Sequence, residues 1–237
     1  MVERQVDSAH ADAGVVVRVW DWPTRLAHWL LVLLIPFSWW AQEYDHLPWH
    51  RLSGYTIIGI LVFRVYWGFV GPSTARFSGF LRGPASALAY VRSLGAKPQV
   101  AATDKPPIIG HNPIGGWSVA AMLIALTVQV TLGLFSVDEN GLESGPFDKF
   151  VSFDVGRALE KAHEITFWIL VGLIALHLTA IGFYALRRDN LVGPMLSGRK
   201  RVNGLSQPAV FVPWWRALLG IAGAAAFAWL ISRAFRL

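Results

Sequence analysis

The sequence of 237 residues contains no cysteine and few charged residues. The absence of cysteine excludes disulfides, thiolate nucleophiles, cysteine-ligated iron–sulfur clusters and covalently attached c-type haem. Charged residues make up 15% of the chain, against about 25% in an average soluble protein. Hydrophobic residues make up 54%, and the mean hydropathy is +0.44. This composition excludes a disordered protein and argues against a soluble globular enzyme.

The apolar residues are concentrated in five blocks, each close to the roughly 20 residues of helix that cross a bilayer. The predicted spans are about Leu26 to Ala41, Leu52 to Val70, Trp117 to Phe135, His163 to Leu186 and Phe211 to Ile231. We expect an all-α integral membrane four-helix bundle with a fifth transmembrane helix. The predicted divisions are a tail over 1–19, the bundle over 20–200, and a linker with the C-terminal helix over 201–237.

The polar tail contains Glu3, Asp7 and Asp12, which is unlike a secretory signal peptide, so we expect the first span to be retained. Lys and Arg in the loops predict the orientation. Three of them stand before the first span, five between spans two and three, and six between spans four and five, whereas the opposite side has six. The N-terminus is therefore predicted to be cytoplasmic. The pI near 10.0 reflects this topology, which argues against nucleic-acid binding.

One cytoplasmic loop is long, from Gly71 to Gly116. Within it, Pro84 and Gly95 are typical of the first position and the end of a short helix. We expect this helix to rest on the membrane surface, with a docking site for a partner as the alternative.

Four of the seven histidines lie in or at the mouths of predicted spans: His28, His50, His163 and His177. Ionisable groups at membrane depth must face a cavity, a partner or a cofactor. His163 and His177 are 14 residues apart, which is roughly 21 Å along one face of a helix. From the direction of each span, His50 and His163 share the outer level, and His28 and His177 share the inner level.

Two imidazoles from facing helices at each level can hold a haem by both axial positions, and bundle cores are usual places for such cofactors. Zinc is the alternative, but it would need two more ligands at each level. Glu164 is the nearest carboxylate, and it points to a different face from His163. Gly54, four residues after His50, would let the edge of a porphyrin approach the backbone.

Four stretches carry a family resemblance: VWDWPTRLAHW at 19–29, HRLSGY at 50–55, FR to WG at 63–68, and GHNPIGGW at 110–117. In this order they resemble bacterial cytochrome b561 and the b-type cytochrome subunits of Ni,Fe-hydrogenases, across about residues 17–200. The resemblance implies a dihaem b-type cytochrome of the cytoplasmic membrane that passes electrons to or from the quinone pool.

Several further residues are candidates in such a protein. Arg25 and Arg64 are predicted to pair with propionates of the inner haem, although Arg64 would equally suit the headgroups. His111 is a candidate hydrogen-bond donor to a quinone, with Arg25 or Thr24, unless it merely caps the third span.

The predicted partner is a periplasmic redox protein, either a c-type cytochrome or a hydrogenase or dehydrogenase subunit, which would approach over the acidic loop at 138–160. The alternatives are a superoxide-to-quinone oxidoreductase and a haem-bearing membrane anchor without turnover of its own.

Overall fold

The computed structural model describes residues 14–94, 110–202 and 209–234. Its helices are α1 (Trp22–Glu43), α2 (Leu47–Val70), α3 (Phe77–Phe80), α4 (Pro84–Leu94), α5 (Pro113–Phe135), α6 (Phe153–Leu186), α7 (Val192–Ser197) and α8 (Trp215–Ala234). A 3₁₀ turn covers Asp148–Phe150, and strands β1 (Val15–Arg18) and β2 (Arg199–Val202) pair antiparallel.

The long helices form two antiparallel pairs. α1 packs along α2, α5 packs along α6, and α2 meets α5 over a smaller area, while α8 packs along the back of α2. As a result α2 is the most buried of the helices that are long and apolar enough to cross a membrane. The sequence explains the contact with α8, because Ala217, Gly220 and Ala224 let the two backbones approach closely.

The two ends of the bundle have different coverings. At one end, which we call the ribbon end, the β1–β2 ribbon lies beside the start of α1 and the segment before α8. At the other, the loop end, residues 136–152 connect α5 to α6, with a bridge between Val137 and Ser144. Arg51 at the start of α2 pairs with Glu143, and Arg157 pairs with Glu139 and Glu160, so the acidic loop is fastened to the helices beneath it.

Four helices are long and apolar enough to cross a membrane among the residues described: α2, α5, α6 and α8. They correspond to the second to fifth predicted spans. The first predicted span folds as the 22-residue α1, but it is not among the four. Its composition explains this, because Arg25 and His28 lie in its first two turns and Gln42 and Glu43 end it.

The long loop also differs from a single surface helix. α4 runs from Pro84 as predicted, and the predicted stop at Gly95 lies outside the described residues. The preceding α3 is a separate turn whose Phe80 is only 2% exposed. Phe80 packs against Gly116 and the ring of His111, so it belongs to the protein interior.

Candidate functional site

His50 and His163 face each other at the loop end. Their ring centroids are 6.2 Å apart and the ring planes are inclined by 82°. A metal–imidazole bond is about 2 Å long, so two rings on opposite sides of one metal ion have centres about 6 Å apart. The observed spacing is therefore the one at which both rings could bind a single metal ion.

Both imidazoles are held by the same kind of contact. His50 Nδ1 lies 2.9 Å from the carbonyl oxygen of Ser38, and His163 Nδ1 lies 2.8 Å from the carbonyl oxygen of Gln129. An Nδ1–H that donates to a backbone carbonyl leaves the lone pair on Nε2, the arrangement usual for a histidine that binds a metal. Both rings are therefore held by a backbone carbonyl at Nδ1, which leaves Nε2 of each ring as the atom that would bind a metal.

Gln129 is a polar residue in the second half of α5 that the sequence analysis did not identify as part of the site. Its side chain is 8% exposed, its Nε2 lies 3.1 Å from His163 Nε2, and its Oε1 is buried with no partner among the described residues. The available signal was a lone amide within an apolar span, where polar side chains usually face a functional interior.

His28 and His177 occupy the ribbon end, half-buried on α1 and α6. The Nδ1 atom of His28 is buried without a partner in the described part of the chain. Both lie close to His111, whose pKa is lowered to about 3, first by burial and then by the charges of Arg64, His177 and His28. The structure thus brings four of the predicted residues into one region.

An apolar layer separates the two histidine levels. Leu170 lies seven residues from both His163 and His177 and is 2% exposed. It packs in one cluster with Ile57 and Leu61 of α2 and Leu126 of α5. This layer excludes polar groups from the space between the levels.

Arg64 lies beside the ribbon-end pair. It is 7% exposed, its Nη1 has no hydrogen-bond partner among the described residues, and its guanidinium lies 5.5 Å and 5.8 Å from the ring centres of Phe77 and Phe80. A buried guanidinium needs a counter-charge, and the buried Asp21 carboxylate lies close enough to interact with Arg64. The unpartnered Nη1 can still donate to a second carboxylate, such as a haem propionate. Its position inside the protein is inconsistent with a role at the headgroups.

Arg25 has a different environment. Its side chain donates to the carbonyl oxygens of Met195, at 3.2 Å, and Leu196, and Trp29 Nε1 donates to the same Met195 oxygen at 3.2 Å. Both carbonyls lie in the last turn of α7, where helix carbonyls lack intrahelical donors. In this structure Arg25 fastens α1 to α7.

The glycines divide into two kinds. A Cβ at Gly54 would meet nothing within 4 Å, so the space beside this glycine is open, as expected for close approach of a ring edge. A Cβ at Gly133 would lie 2.9 Å from Cε1 of His163, so that glycine makes room for the imidazole itself.

His111 does not cap α5. Asn112 is the N-cap and accepts a hydrogen bond from Gly115 N at 2.7 Å, and its Nδ2 donates to the Tyr184 hydroxyl at 2.8 Å. His111 instead packs between the rings of Trp20 and Phe80. Its Nδ1 is buried with no partner in the described residues, so it is available for a ligand.

The donor set fits haem better than zinc. The described residues contain no cluster of three or more His, Cys, Asp or Glu that would hold a bare metal ion. Two imidazoles at one level satisfy the axial positions of a haem, whereas zinc needs four ligands. His50 and His163 would hold one b haem, and His28 and His177 the other, with Arg64 beside the latter.

Comparison with known protein families gives a match. The family model described as prokaryotic cytochrome b561 matches residues 19–198, which is most of the chain and includes all four histidines. Neither the curated proteins nor the solved structures that were compared gave a match.

Proposed function

Because the chain belongs to the prokaryotic cytochrome b561 family, a family of membrane b-type cytochromes that act in electron transfer, we propose that it carries two b haems and relays electrons between a periplasmic redox partner and the quinone pool. The observation that carries this proposal is the pair of imidazoles at 6.2 Å, each held through Nδ1 by a backbone carbonyl.

The proposed ligands are His50 with His163 at the loop end and His28 with His177 at the ribbon end. A haem with two axial imidazoles supplies one-electron redox chemistry without an open position for substrate. The chain's own contribution is to hold the rings, to exclude water through the layer around Leu170, and to supply the Arg64 charge. With levels roughly 21 Å apart, such a protein suits transfer between opposite faces of the membrane.

The proposed orientation places the ribbon end in the cytoplasm, with five membrane-spanning helices, α1, α2, α5, α6 and α8, in the bacterial inner membrane. The excess of Lys and Arg at the ribbon end supports this orientation.

In this orientation the acidic loop would face the periplasm and receive the redox partner. Glu139 is 84% exposed there, and the apolar Leu142 and Phe150 are 82% and 70% exposed. Carboxylates around exposed apolar residues suit a partner with a basic face.

The proposed quinone position is beside His111, at the ribbon end. Two observations support this position. The Nδ1 atom of His111 is buried without a partner among the described residues, and the N-cap of α5 is Asn112 and not His111. His111 would donate a hydrogen bond to a quinone carbonyl. Its low pKa keeps the ring neutral at physiological pH, so it adds no charge beside Arg64.

A pyridine haemochrome assay on the purified protein tests the haem number, and we expect two b haems per chain. In His177→Ala, only the ribbon-end haem loses a ligand. We therefore expect one haem to remain, the one proposed between His50 and His163, with an unchanged spectrum. His46→Ala, a change at an exposed histidine, should keep both. A quinone added to the dithionite-reduced protein should reoxidise the haems. A colourless preparation, or two unchanged haems in His177→Ala, would refute the proposal.

A further inference from the structure

The β1–β2 ribbon has one face that carries only arginine and valine. Residues directly opposite each other in an antiparallel pair point to the same side, as do residues two apart along a strand. Arg18 is paired with Arg199, and Arg201 is paired with Val16. We call Arg18, Arg199 and Arg201 the arginine face, and all three are exposed.

The pairing of Arg18 with Arg199 is unfavourable by itself, because like charges directly opposite each other destabilise a sheet. On the other face of the ribbon, the one charged residue, Lys200, pairs with Asp189 at 2.7 Å, and Val202 is buried. Within the described residues, neither Arg199 nor Arg201 has an ion-pair partner. The arginine face is therefore complementary to an anion from outside the chain.

An apolar groove of about 450 Å³ runs between α1, α2 and α8. Its walls include Leu26 and Leu30 of α1, Gly59 of α2, and Ala225 of α8. Of the three hydroxyl residues that line it, Tyr55, Thr56 and Ser232, two are tied back to their own helices. Thr56 donates to the Leu52 carbonyl at 2.8 Å and Ser232 donates to the Trp229 carbonyl at 2.7 Å. Such walls suit a hydrocarbon chain and offer little to a polar ligand.

The groove and the arginine face meet the same end of the bundle. Trp22 lines the groove and lies four residues after Arg18, and the Arg18 guanidinium stacks 4.1 Å from the ring centre of Phe211, just before α8. Trp22, Trp214 and Trp215 are 42%, 68% and 49% exposed here. Exposed tryptophans at helix ends are typical of the headgroup level of a membrane.

We propose that this arrangement is a binding site for an anionic phospholipid, with the phosphate on the arginine face and an acyl chain in the groove. The size agrees: at roughly 30 Å³ per heavy atom, the share of a water molecule in the liquid, the groove takes about fifteen such atoms, which is close to one fatty-acyl chain. The site uses α8 and β2, which lie beyond the residues matched by the family model.

Native mass spectrometry of the purified full-length protein tests the site, with phosphatidylglycerol and phosphatidylcholine of identical chains as probes. We expect one phosphatidylglycerol per chain, retained at least tenfold better than phosphatidylcholine. Arg199→Gln with Arg201→Gln should remove this preference. Arg82→Gln with Arg92→Gln, an equal loss of charge in the segment at 81–92 outside the ribbon, should keep it.

Ala225→Phe should abolish retention by filling the groove. Ala226→Phe is the matched control, because Ala226 is exposed but does not line the groove. Haem content must stay at the wild-type value in each variant, which separates lipid binding from the proposed electron transfer.

Four results would overturn the proposal. Equal retention of both lipids would remove headgroup recognition, and displacement of phosphatidylglycerol by millimolar inorganic phosphate would indicate a free-phosphate site. If Ala225→Phe removes a bound quinone but leaves phosphatidylglycerol bound, the groove holds a quinone tail and not an acyl chain. Loss of a dimer in Ala225→Phe would assign it to a second copy of the chain.

Discussion

At the scale of single residues, the position of His163 depends on Gly133 of the neighbouring helix. A Cβ at residue 133 would lie 2.9 Å from Cε1 and 3.2 Å from Nδ1 of the imidazole. The ring also receives its orientation from the backbone one turn earlier, at Gln129. A methyl group at Gly133 must therefore displace the ring or spread α5 and α6, and overpacking of this kind costs roughly 1–3 kcal/mol.

We expect Gly133→Ala to weaken or shift the haem held by His50 and His163 and to leave the other unchanged. Low-temperature absorption and electron paramagnetic resonance spectra, which distinguish the two low-spin haems, are the measurement. Gly172→Ala is the control, because a Cβ there meets nothing within 4 Å. Identical spectra for Gly133→Ala and the wild type would show that His163 is not held where the structure has it.

Residue spacing predicted part of this site and missed the rest for a physical reason. Helical periodicity puts His163 and His177 on one face, and the direction of the spans puts His50 level with His163, as the structure shows. Periodicity says nothing about where a long side chain ends. Arg25 was predicted to pair with a propionate of the inner haem, and this stays a prediction. Its guanidinium contacts the carbonyls of α7, a short helix that no sequence pattern indicated. The haem-ligand assignment itself stays a prediction.

At the scale of elements, α7 and the ribbon connect the helices that carry the ribbon-end histidines. α7 follows the end of α6 after a five-residue link, and its last carbonyls accept hydrogen bonds from Arg25 and Trp29, on either side of His28. The Gly198 carbonyl then accepts from Val19 N at 2.8 Å. We infer that these contacts set the position of the His28 turn relative to α6.

Arg25→Ala should therefore shift the midpoint potential and the resonance signal of the ribbon-end haem and leave those of the loop-end haem unchanged. The variant loses two hydrogen bonds from a charged group, each contributing about 1.5–3 kcal/mol, so a lower melting temperature is also expected. Arg25→Lys should recover part of both effects, and Arg82→Ala should change neither. Equal shifts of both haem signals would indicate general loosening and not positioning of His28.

Element boundaries were predictable where the sequence carries local signals. Asp21 is the N-cap of α1 and Asn112 is the N-cap of α5. Pro23 and Pro113 stand in the first turns of these two helices, where proline is common. The split of α3 from α4 was not predictable, because it depends on Phe80 being buried against Gly116, a residue on another helix. Such long-range packing has no periodic signature.

At the scale of the whole molecule, α8 changes the environment of α2. One face of α2 carries His50, Ile57, Leu61 and Arg64 toward the interior, and the other carries Gly59, Phe63 and Tyr66 against α8. The Tyr66 hydroxyl also donates to the Arg216 carbonyl at 3.2 Å. A helix carrying a proposed ligand is thus covered on its back by a segment outside the matched family region.

The proposed arrangement of spans predicts on which side of the membrane each loop lies. The sequence contains no cysteine, so a single introduced cysteine is the only thiol and can be labelled specifically. If α5, α6 and α8 each cross the membrane once, the end of α8 lies on the same side as the acidic loop, opposite to α4. Asn140→Cys and Arg233→Cys should therefore react with a membrane-impermeant maleimide in intact spheroplasts, whereas Ser86→Cys should react only after permeabilisation. All three positions are exposed. The reverse pattern would invert the orientation, and labelling of Arg233→Cys together with Ser86→Cys would place these two positions on one side, which would remove α8 from the membrane.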